Sequence, residues 1–330
     1  MPQLTVTVET WPIARTFTIS RGSRTEARVV VATIEEAGAK GRGECVPYAR
    51  YGETVDNVTA LIESWKPKTS AAASREALLS EMPAGAARNA LDCALWDLEA
   101  KLSGKRIWEL SGLPQPRPVI TAYTLSLDRP EAMEAAACAA SGLPLLKVKL
   151  GGAGDAERIA AVRRAAPQAT LIADANEAWS EAVFDENLSA CLEAGVALIE
   201  QPLPAGRDEL LGSIPASKRE GVLFCADESI HIAGDLDDVA QKYQAINIKL
   251  DKAGGLTAAL ELKAAAVAGG LKIMVGCMVG TSLAMAPALL LAGGAAFVDL
   301  DGPLLLARDR KPGLTYSGSL IHPFGAELWG

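Results

Sequence analysis

Two lysines stand out in the apolar segment 145–150, where Lys147 and Lys149 are separated by a single valine. The segment is too short for a helix, and its residues are typical of a β-strand. Side chains alternate along a strand, so both lysines share one face and the intervening valine shares the other with its flanking leucines. Taken alone, the segment is better explained as an exposed edge strand whose lysines are in water.

Charged residues also follow most of the later apolar segments. In chain order they are Asp174, Glu200, Asp227, Lys249, Asp299 and Asp301. The first three end successive segments, and lysines lie on both sides of them along the chain. Three successive carboxylates flanked by lysines are poorly explained as solvated surface. What they can do depends on whether the fold brings these strand ends together.

Eight short apolar segments recur from residue 119 onward, at a spacing of about 25 residues, with alanine-rich helical patterns between them. The segments are 120–124, 145–150, 170–174, 197–200, 222–226, 245–249, 272–277 and 296–299. Strands that alternate with helices and are apolar on both faces indicate an α/β protein with a (β/α)8-type barrel. An open doubly wound sheet is the alternative, but the glycine-rich phosphate turn typical of that fold is missing.

The first third of the chain has a different pattern, which predicts an α+β domain that caps the barrel. Strand-like alternation covers residues 3–36, and helical patterns follow at 54–66, 73–81 and 84–103. Two polar loops are predicted near 20–26 and 47–54, and both carry arginines. The predicted organisation is a capping domain at 1–118, a barrel at 119–300 and a C-terminal segment at 301–330 that packs back on the capping domain.

Composition excludes several classes of protein. The chain has 330 residues, 49% of them hydrophobic, and a net charge of −8 without a basic stripe, which argues against nucleic acid as a partner. Its six cysteines are scattered in apolar contexts, as expected for reduced thiols. No signal peptide is recognisable, and Pro287 interrupts the apolar run 282–298, so a cytoplasmic protein without a membrane span is predicted. The oligomeric state, a homo-oligomer included, is left open.

A barrel places the carboxyl ends of all its strands at one mouth. Asp174, Glu200 and Asp227 would then lie within a few ångströms of one another, where their repulsion is severe without a cation. Three oxygen ligands suit Mg²⁺, and the lack of nearby His or Cys argues against zinc. A network of carboxylate–lysine salt bridges that closes the barrel is the alternative.

The second and sixth strands of an eight-stranded barrel face each other, which puts Lys149 and Lys249 on opposite sides of the metal. A carboxylate substrate between them would lose its α-proton to one lysine and regain a proton from the other, which inverts the stereocentre. A lysine serves as a base near neutral pH only when its pKa is lowered. Burial and the nearby positive charges are expected to lower it.

The chain resembles the enolase superfamily, and within it the muconate-lactonising subgroup. The segments that carry this resemblance are 147–149, 174–179, 199–204, 226–229 and 247–255. Further segments resemble the L-Ala-D/L-Glu dipeptide epimerases of proteobacteria, namely 21–24, 47–53, 86–92, 276–278 and 299–303. The resemblance covers nearly the whole chain.

The resemblance implies a role for each residue at a matching position. The metal ligands for Mg²⁺ would be Asp174, Glu200 and Asp227, supported by Asn176 and Glu228. The acid/base catalysts would be Lys149 and Lys249, and Lys147 would polarise the substrate carboxylate. The α-ammonium group of a dipeptide would be bound by Asp299 and Asp301, and the substrate backbone would be contacted by Thr124, Gly276, Cys277 and Met278. A pair of carboxylates on alternate positions of the last strand is also, physically, a cation site.

The resemblance further implies interconversion of L-Ala-D-Glu and L-Ala-L-Glu, a step in murein peptide recycling. Arg24 is the preferred partner for the glutamate side chain, with Arg21 and Arg50 as weaker candidates and an exposed loop arginine as the alternative. Epimerases of other dipeptides, N-acylamino-acid racemases and o-succinylbenzoate synthases are the enzymatic alternatives. The latter two act on substrates without a free α-ammonium group, so Asp299 and Asp301 count against them. A dipeptide-binding barrel without catalysis is the alternative outside enzymes.

Overall fold

The computed structural model describes residues 2–69, 74–219 and 221–330. The chain begins with a three-stranded antiparallel sheet made of β1 (Gln3–Ile19), β2 (Gly22–Glu36) and β3 (Ala39–Cys45). Five helices follow, namely α1 (Val55–Glu63), α2 (Lys66–Thr69), α3 (Arg75–Glu81), α4 (Ala86–Ser103) and α5 (Ile107–Leu110). The predicted helices are confirmed to within three residues, except that residue 73 lies outside the described ranges.

The polar loop predicted at 20–26 is wrong. β1 and β2 form one long hairpin whose turn is only Ser20 and Arg21, and Arg24 lies on β2 opposite Phe17. The outer half of the hairpin projects beyond β3. Its β1 strand buries Ile13 and packs Phe17 against the same cluster, whereas residues 22–26 of β2 are all glycine or polar. That removes the alternation by which a strand is recognised in a sequence.

Helix α4 packs so closely on β3 that only glycine fits at two positions of the strand. A Cβ atom at Gly43 would lie 2.0 Å from the carbonyl oxygen of Ala90, and one at Gly41 would lie 2.1 Å from that of Ala94. The helix is buried along most of its length, with the sheet on one side and the barrel on the other. It is therefore the element through which the capping sheet rests on the barrel.

Eight parallel strands form the barrel and follow one another in chain order around it. They are β5 (Tyr123–Leu125), β6 (Leu145–Lys149), β7 (Thr170–Asp174), β8 (Val196–Glu200), β9 (Leu223–Ala226), β10 (Ala245–Ile248), β11 (Lys272–Gly276) and β12 (Phe297–Asp299). The backbone N–H of Ala122 donates to the carbonyl oxygen of Val298 at 2.8 Å and joins the last strand to the first. The predicted barrel is confirmed.

The first predicted strand is divided into two pieces. Residues Val119–Ile120 form a separate strand, β4, which precedes β5 and pairs with the C-terminal hairpin of β13 (Tyr316–Ser317) and β14 (Leu320–Ile321). The pairing resumes with β6 only at Tyr123. Residues 121–122 instead make single hydrogen bonds to the C-terminal hairpin and to β12, which interrupts the strand.

Helices surround the barrel. They are α6 (Pro130–Ala139), α7 (Asp155–Ala165), α8 (Glu181–Glu193), α9 (Leu210–Ser213), α10 (Ala216–Arg219), α11 (Leu236–Val239), α12 (Leu250–Ala253), α13 (Leu256–Ala268), α14 (Ser282–Leu289) and α15 (Gly302–Leu305). Within the described ranges, no helix is both long enough and apolar enough to span a bilayer.

The amino-terminal half of the barrel interior is filled by apolar side chains. Successive strands, and the residues that lead into them, contribute Ala122, Leu145, Ile172, Leu198, Cys225, Ala245 and Met274 to one buried cluster. These residues form the floor beneath the charged residues at the carboxyl ends. Chemistry in this barrel is therefore confined to one mouth.

The C-terminal segment contacts both the barrel and the capping elements. The Tyr316 hydroxyl donates to the carbonyl oxygen of Leu300 at 2.8 Å, on the barrel. Further on, Arg42 donates to the carbonyl oxygen of Leu328 at 2.8 Å, and the Trp329 indole donates to that of Cys93 at 3.0 Å. Near the start of the segment, Arg310 donates to Glu9 at 2.7 Å and to Glu44 at 2.8 Å, so the segment reaches the capping elements at both of its ends.

Candidate active site

The two lysines of β6 point into the barrel. Lys147 and Lys149 are only 2% and 7% exposed, and Leu146 and Val148 pack in the apolar layer between the strands and the outer helices. The alternation predicted from the sequence is confirmed. Two long cationic side chains are therefore buried at the mouth, where each needs anionic partners.

Lys147 lies at the centre of a cluster of carboxylates. Its ammonium nitrogen is 3.0 Å from Asp174 Oδ2, 2.7 Å from Glu200 Oε2 and 2.7 Å from Asp299 Oδ2. Burial acts to lower the pKa of Lys147, but the charges of Asp174 and Asp299 outweigh it and raise the pKa well above its usual range. This lysine is thus a fixed positive charge, which suits binding of an anion better than proton transfer.

Lys149 bridges the end of its own strand to the next. It donates to Asp174 Oδ2 at 2.6 Å and to Asn176 Oδ1 at 3.3 Å, and the Asn176 backbone N–H donates to Asp174 Oδ1 at 3.0 Å. Asn176 has a φ of +44°, a conformation that asparagine tolerates better than most residues. Asn176 thus contacts both Lys149 and Asp174, and its support of a metal ligand stays a prediction.

Lys249 follows β10 on the other side of the mouth and donates to Asp227 Oδ2 at 2.6 Å. A lowered pKa was expected for a buried lysine base, but burial is outweighed here by the charges of Asp227 and Glu200. They raise the pKa of Lys249 well above its usual range. The expectation counted the burial and the neighbouring cations, and it omitted the carboxylates that lie closer.

The three carboxylates predicted to hold a metal end β7 and β8 or directly follow β9, and each is at most 1% exposed. Glu200 Oε1 accepts a hydrogen bond from Asn247 Nδ2 at 2.7 Å, whereas Glu200 Oε2 accepts none from the described residues despite its ionic contact with Lys147. Lysine nitrogens lie between the carboxylate oxygens. Accordingly, no three Asp, Glu, His or Cys side chains of the described ranges are grouped as a metal-binding cluster.

The charges at the mouth are unbalanced. Its buried carboxylates are Asp174, Glu200, Asp227, Glu228, Asp299 and Asp301. The cations that face them are the ammonium groups of Lys147, Lys149, Lys249 and Lys252 and the guanidinium of Arg21, which pairs with Glu228, so one negative charge is in excess. Burial, together with the charge of Asp174, raises the pKa of Glu200. An all-oxygen set of ligands with excess negative charge and one carboxylate oxygen without a hydrogen bond fits a hard divalent cation such as Mg²⁺.

A second anionic group lies at the end of β12. Asp299 is held through one oxygen by Lys147, and its other oxygen accepts no hydrogen bond from any described residue. Asp301 accepts from the backbone N–H of Thr124 at 2.7 Å, and burial and the charge of Asp299 raise its pKa to about 7. Two adjacent carboxylates with spare acceptor capacity suit an ammonium group.

Three buried polar residues of the mouth were missed by sequence reasoning. Asn247 orients Glu200, Lys252 donates to Asp227 Oδ1 at 2.6 Å, and Gln201 accepts from the backbone N–H of Asp227 at 2.9 Å. All three lie inside segments that carry the family resemblance. The motifs therefore marked these positions without indicating what the residues do. Only the packing shows what each side chain contacts.

The turn of the β1–β2 hairpin is fixed over the mouth by Arg21. Its guanidinium donates to the carbonyl oxygen of Asn176 at 3.0 Å, to the Tyr48 hydroxyl at 3.0 Å and to Glu228 Oε1 at 2.7 Å. Glu228 is thus a partner of the capping hairpin, which differs from the predicted support of the metal ligands from within the barrel.

Arg50 is also committed to partners within the chain. It donates to Glu177 at 2.7 and 2.8 Å in a two-pronged contact. Arg24 differs, because it is exposed and makes no hydrogen bond or ion pair with a described residue; its guanidinium carbon lies 5.4 Å from the centre of the Tyr48 ring. Of the three candidate arginines, Arg24 is the one without a hydrogen bond or ion pair to a described residue.

One cavity connects these groups. Of the predicted site residues, it is lined by Arg24, Thr124, Lys147, Lys149, Asn176, Asp227, Lys249, Cys277, Met278, Asp299 and Asp301. Asp174 and Glu200 lie beneath the lysines. A Cβ atom at Gly276 would lie 2.4 Å from the side chain of Asn247, so this glycine keeps space for Asn247 behind the cavity wall.

Comparison with known proteins agrees with this architecture. Residues 1–112 match the mandelate racemase / muconate lactonizing enzyme N-terminal domain family, and residues 131–301 match the enolase C-terminal domain-like family. These two domains, together with a barrel mouth lined by lysines and carboxylates, are the features of one superfamily of enzymes. The protein belongs to the enolase superfamily, in the group of mandelate racemase and muconate lactonizing enzyme.

Three similar proteins narrow the class. The chain is 46% identical to L-Ala-D/L-Glu epimerase of Escherichia coli, over 95% of this chain and 97% of that protein. It is 45% identical to N-acetyl-D-glutamate racemase of a Pseudoalteromonas species, over 92% and 95% respectively. It is 53% identical to an enolase family member from Agrobacterium tumefaciens with homology to dipeptide epimerases, solved with sodium and L-Ala-L-Glu, with a TM-score of 0.97 over the whole of both chains.

Proposed function

We propose that this protein is a Mg²⁺-dependent dipeptide epimerase that interconverts L-Ala-D-Glu and L-Ala-L-Glu. The observation that carries the proposal is the arrangement in one cavity of two lysines on opposite strands, an anionic pair and an unpaired arginine. Lys149 and Lys249 come from the second and sixth of eight strands. A merely binding barrel has no need of two such amines.

Asp174, Glu200 and Asp227 are assigned to the metal. When bound, Mg²⁺ polarises the substrate carboxylate and stabilises the negative charge that develops on it as the α-proton leaves. Structurally similar dipeptide epimerases have been solved in complex with Mg, which supports this choice of ion. The carboxylates that raise the pKa of Lys249 are those assigned to the metal, so metal binding relieves the effect that keeps this lysine protonated.

The two lysines divide the proton transfer. For one epimer Lys149 takes the α-proton while the ammonium group of Lys249 delivers a proton to the opposite face, and for the other epimer the roles are exchanged. Lys147 remains charged and pairs with the substrate carboxylate. Asp299 and Asp301 receive the α-ammonium group of the first residue, and the 277–278 backbone and Thr124 line the space between.

Arg24 is assigned to the side-chain carboxylate of glutamate. It lines the same cavity as the lysines and has no hydrogen-bond partner among the described residues, whereas Arg21 and Arg50 are already bonded to Glu228 and Glu177. A guanidinium can donate two parallel hydrogen bonds to a carboxylate. Selection for glutamate then depends mainly on one side chain of the capping hairpin.

Racemisation of N-acetyl-glutamate is a second candidate, favoured by the 45% identity to an N-acetyl-D-glutamate racemase. That substrate shares the α-proton and the side-chain carboxylate and lacks an α-ammonium group. Asp299 and Asp301 would then be left as two buried carboxylates facing an uncharged acetyl group, which is unfavourable. The dipeptide is therefore preferred, and a role in cytoplasmic recycling of cell-wall peptides is part of the proposal.

The test is ¹H NMR of L-Ala-L-Glu in D₂O with the enzyme and Mg²⁺, run beside N-acetyl-D-glutamate. The expected result is loss of the glutamate α-proton signal as signals of L-Ala-D-Glu appear, with much slower exchange of N-acetyl-D-glutamate. Faster exchange of N-acetyl-D-glutamate would select the second candidate. An absence of exchange with both substrates would reject the chemistry.

A further inference from the structure

Gln201, the residue directly after Glu200, has features that the proposed chemistry does not use. It is completely buried and has a φ of +35°, which is unusual for a residue with a side chain. Its backbone N–H donates to the carbonyl oxygen of Cys225 at 2.9 Å, which extends the contact between β8 and β9. Such a conformation persists only where the surroundings impose it.

The side-chain amide of Gln201 crosses from the end of β8 to the loop after β9. Its oxygen accepts from the backbone N–H of Asp227 at 2.9 Å and from that of Ser229 at 3.1 Å. These two donors fix which end of the amide is oxygen, because a flipped amide would leave both N–H groups without an acceptor. The loop that carries Asp227 is thus anchored to the residue beside Glu200.

The nitrogen end of the same amide is fixed by a second set of contacts. Gln201 Nε2 lies 2.8 Å from the Tyr243 hydroxyl and 2.9 Å from Ser229 Oγ. Both hydroxyls lie within donating distance of Asp208 Oδ2, at 2.6 Å from Tyr243 and 2.7 Å from Ser229, so their lone pairs are free to accept from Gln201. Lys242 in turn donates to Asp208 Oδ1 at 2.8 Å. The hydrogen bonds from Gln201 therefore continue through both hydroxyls and end at Asp208, which also accepts from Lys242.

We propose that Gln201 is a positioning residue that holds Glu200 and Asp227 at the spacing needed to bind one divalent cation. The proposal rests on the metal assignment of the proposed function. Glu200 is fixed to Gln201 by the chain itself, and Asp227 is fixed to it through its backbone N–H. The amide is the only side chain among the described residues that is hydrogen-bonded to the backbone of the β9 loop and also adjacent in sequence to another assigned ligand.

Leucine is the informative replacement at position 201. It is close to glutamine in size but cannot accept a hydrogen bond, so the N–H groups of Asp227 and Ser229 lose their acceptor in a buried place. The loop is then expected to shift until water or another acceptor satisfies them. Such a shift moves Asp227 relative to Glu200. It should lower the affinity for a cation that both residues bind more than it lowers the stability of the fold.

Gln244 supplies a matched control. It is a glutamine whose side-chain oxygen also accepts from the backbone of β9, from Phe224 N–H at 3.1 Å, but at the amino end of that strand. Gln244→Leu therefore removes the same kind of hydrogen bond from the same strand on the far side of the apolar floor. It tests whether any loss of such a bond affects metal binding.

The experiment is titration of each full-length variant with MgCl₂ by isothermal calorimetry, together with the melting temperature measured without added metal. Supporting groups behind metal ligands typically change affinity 10- to 100-fold. We expect Gln201→Leu to raise the Kd for Mg²⁺ by about that factor and Gln244→Leu to change it less than about twofold. Equal Kd values for wild type and Gln201→Leu would overturn the proposal, as would an equal loss in both variants.

Tyr243→Phe keeps the test decisive if Gln201→Leu does not fold. It removes one partner of the Gln201 amide and leaves Asp227 and Glu200 untouched, so a smaller rise in Kd, about two- to fivefold, is expected. Excess MgCl₂ should restore the epimerisation rate of both variants, which a general loss of structure would not allow. Absence of Mg²⁺ binding by the wild type would reject the metal assignment itself, and the proposal for Gln201 with it.

Discussion

The barrel mouth and the tip of the capping hairpin contribute to the same cavity in opposite ways. At the mouth, Lys147 contacts three carboxylates and Asp227 contacts two lysines, all of them almost completely buried. At the hairpin, Arg24 is exposed, lies on a strand paired on one side near the tip, and has its guanidinium carbon 5.4 Å from the centre of the Tyr48 ring.

This difference suggests that the barrel mouth carries out the proposed reaction and that the hairpin tip selects the substrate. The groups assigned to the reaction are held by short, buried ionic contacts within the barrel, as between Lys149 and Asp174 and between Lys249 and Asp227. The selective group is held by the hairpin alone and can change without disturbing the others. Loss of a barrel residue should therefore affect all substrates, and loss of a hairpin residue should affect only some.

The largest effect is expected from removal of either catalytic lysine. Lys149→Met and Lys249→Met should each lower the epimerisation rate by about 10²- to 10⁴-fold for every dipeptide, because a general acid–base group contributes this much. Each variant should still exchange the α-proton of one epimer in D₂O through the remaining lysine. Lys263→Met is the control, since that lysine bonds the carbonyl oxygens of Leu291 and Gly293 and lies outside the cavity.

If both lysine variants exchanged both epimers, the two amines would not divide the chemistry. Proton NMR in D₂O, followed separately for L-Ala-L-Glu and L-Ala-D-Glu, distinguishes these results.

Removal of divalent cations should have the next largest effect. Treatment with EDTA is expected to lower the epimerisation rate by at least about 10²-fold, because several kcal/mol of charge stabilisation are lost. MgCl₂ should restore the rate. Arg24→Ala should show the same dependence on MgCl₂ as the wild type, because Arg24 contacts none of the assigned ligands. An EDTA-treated enzyme with unchanged activity would contradict the metal assignment at the mouth.

A selective effect is expected from the hairpin. Arg24→Ala should raise KM for L-Ala-L-Glu by about 10- to 100-fold, the range expected for lost hydrogen bonds between charged groups. The KM for L-Ala-L-Met should change less than about threefold, since its side chain has no charge to pair. Steady-state kinetics on both dipeptides measures the ratio. An equal rise for both substrates would remove Arg24 from the selective role.

The smallest effect is expected from Arg50→Ala. Arg50 is part-exposed and pairs with Glu177 at the edge of the cap, and such exposed ion pairs contribute about 1 kcal/mol or less. The kcat/KM for L-Ala-L-Glu should therefore fall less than about fivefold. A loss as large as that of Arg24→Ala would show that the cap as a whole, and not one arginine, determines selection for glutamate.

Sequence alone predicted the mouth much better than the hairpin. Strand residues such as Lys147, Lys149 and Asp174 occur at fixed positions in a periodic pattern, and a barrel brings their ends together whatever its details. The hairpin tip has no such pattern, because residues 20–26 are all glycine or polar, and the predicted loop was wrong. That Arg21 and Arg50 are already paired, which leaves Arg24 available, depends on distances between residues far apart in the chain.

The other gaps concern neighbours. The pKa of Lys249 was expected to be lowered, but its contact with Asp227 reverses the direction, and a sequence does not show that contact. The hydrogen bonds of Gln201 and Lys252 were missed for the same reason. Motif positions indicate that a residue matters, and only packing shows what it holds in place.

The apolar floor inside the barrel closes the cavity at the amino-terminal end of the strands. With side chains from β6 to β11 closing the lower half, a dipeptide has no passage through the barrel. Both stereoisomers therefore enter and leave the cavity through its opening under the hairpin turn, and a product that is leaving blocks entry of the next substrate. Neither isomer therefore has a route of its own.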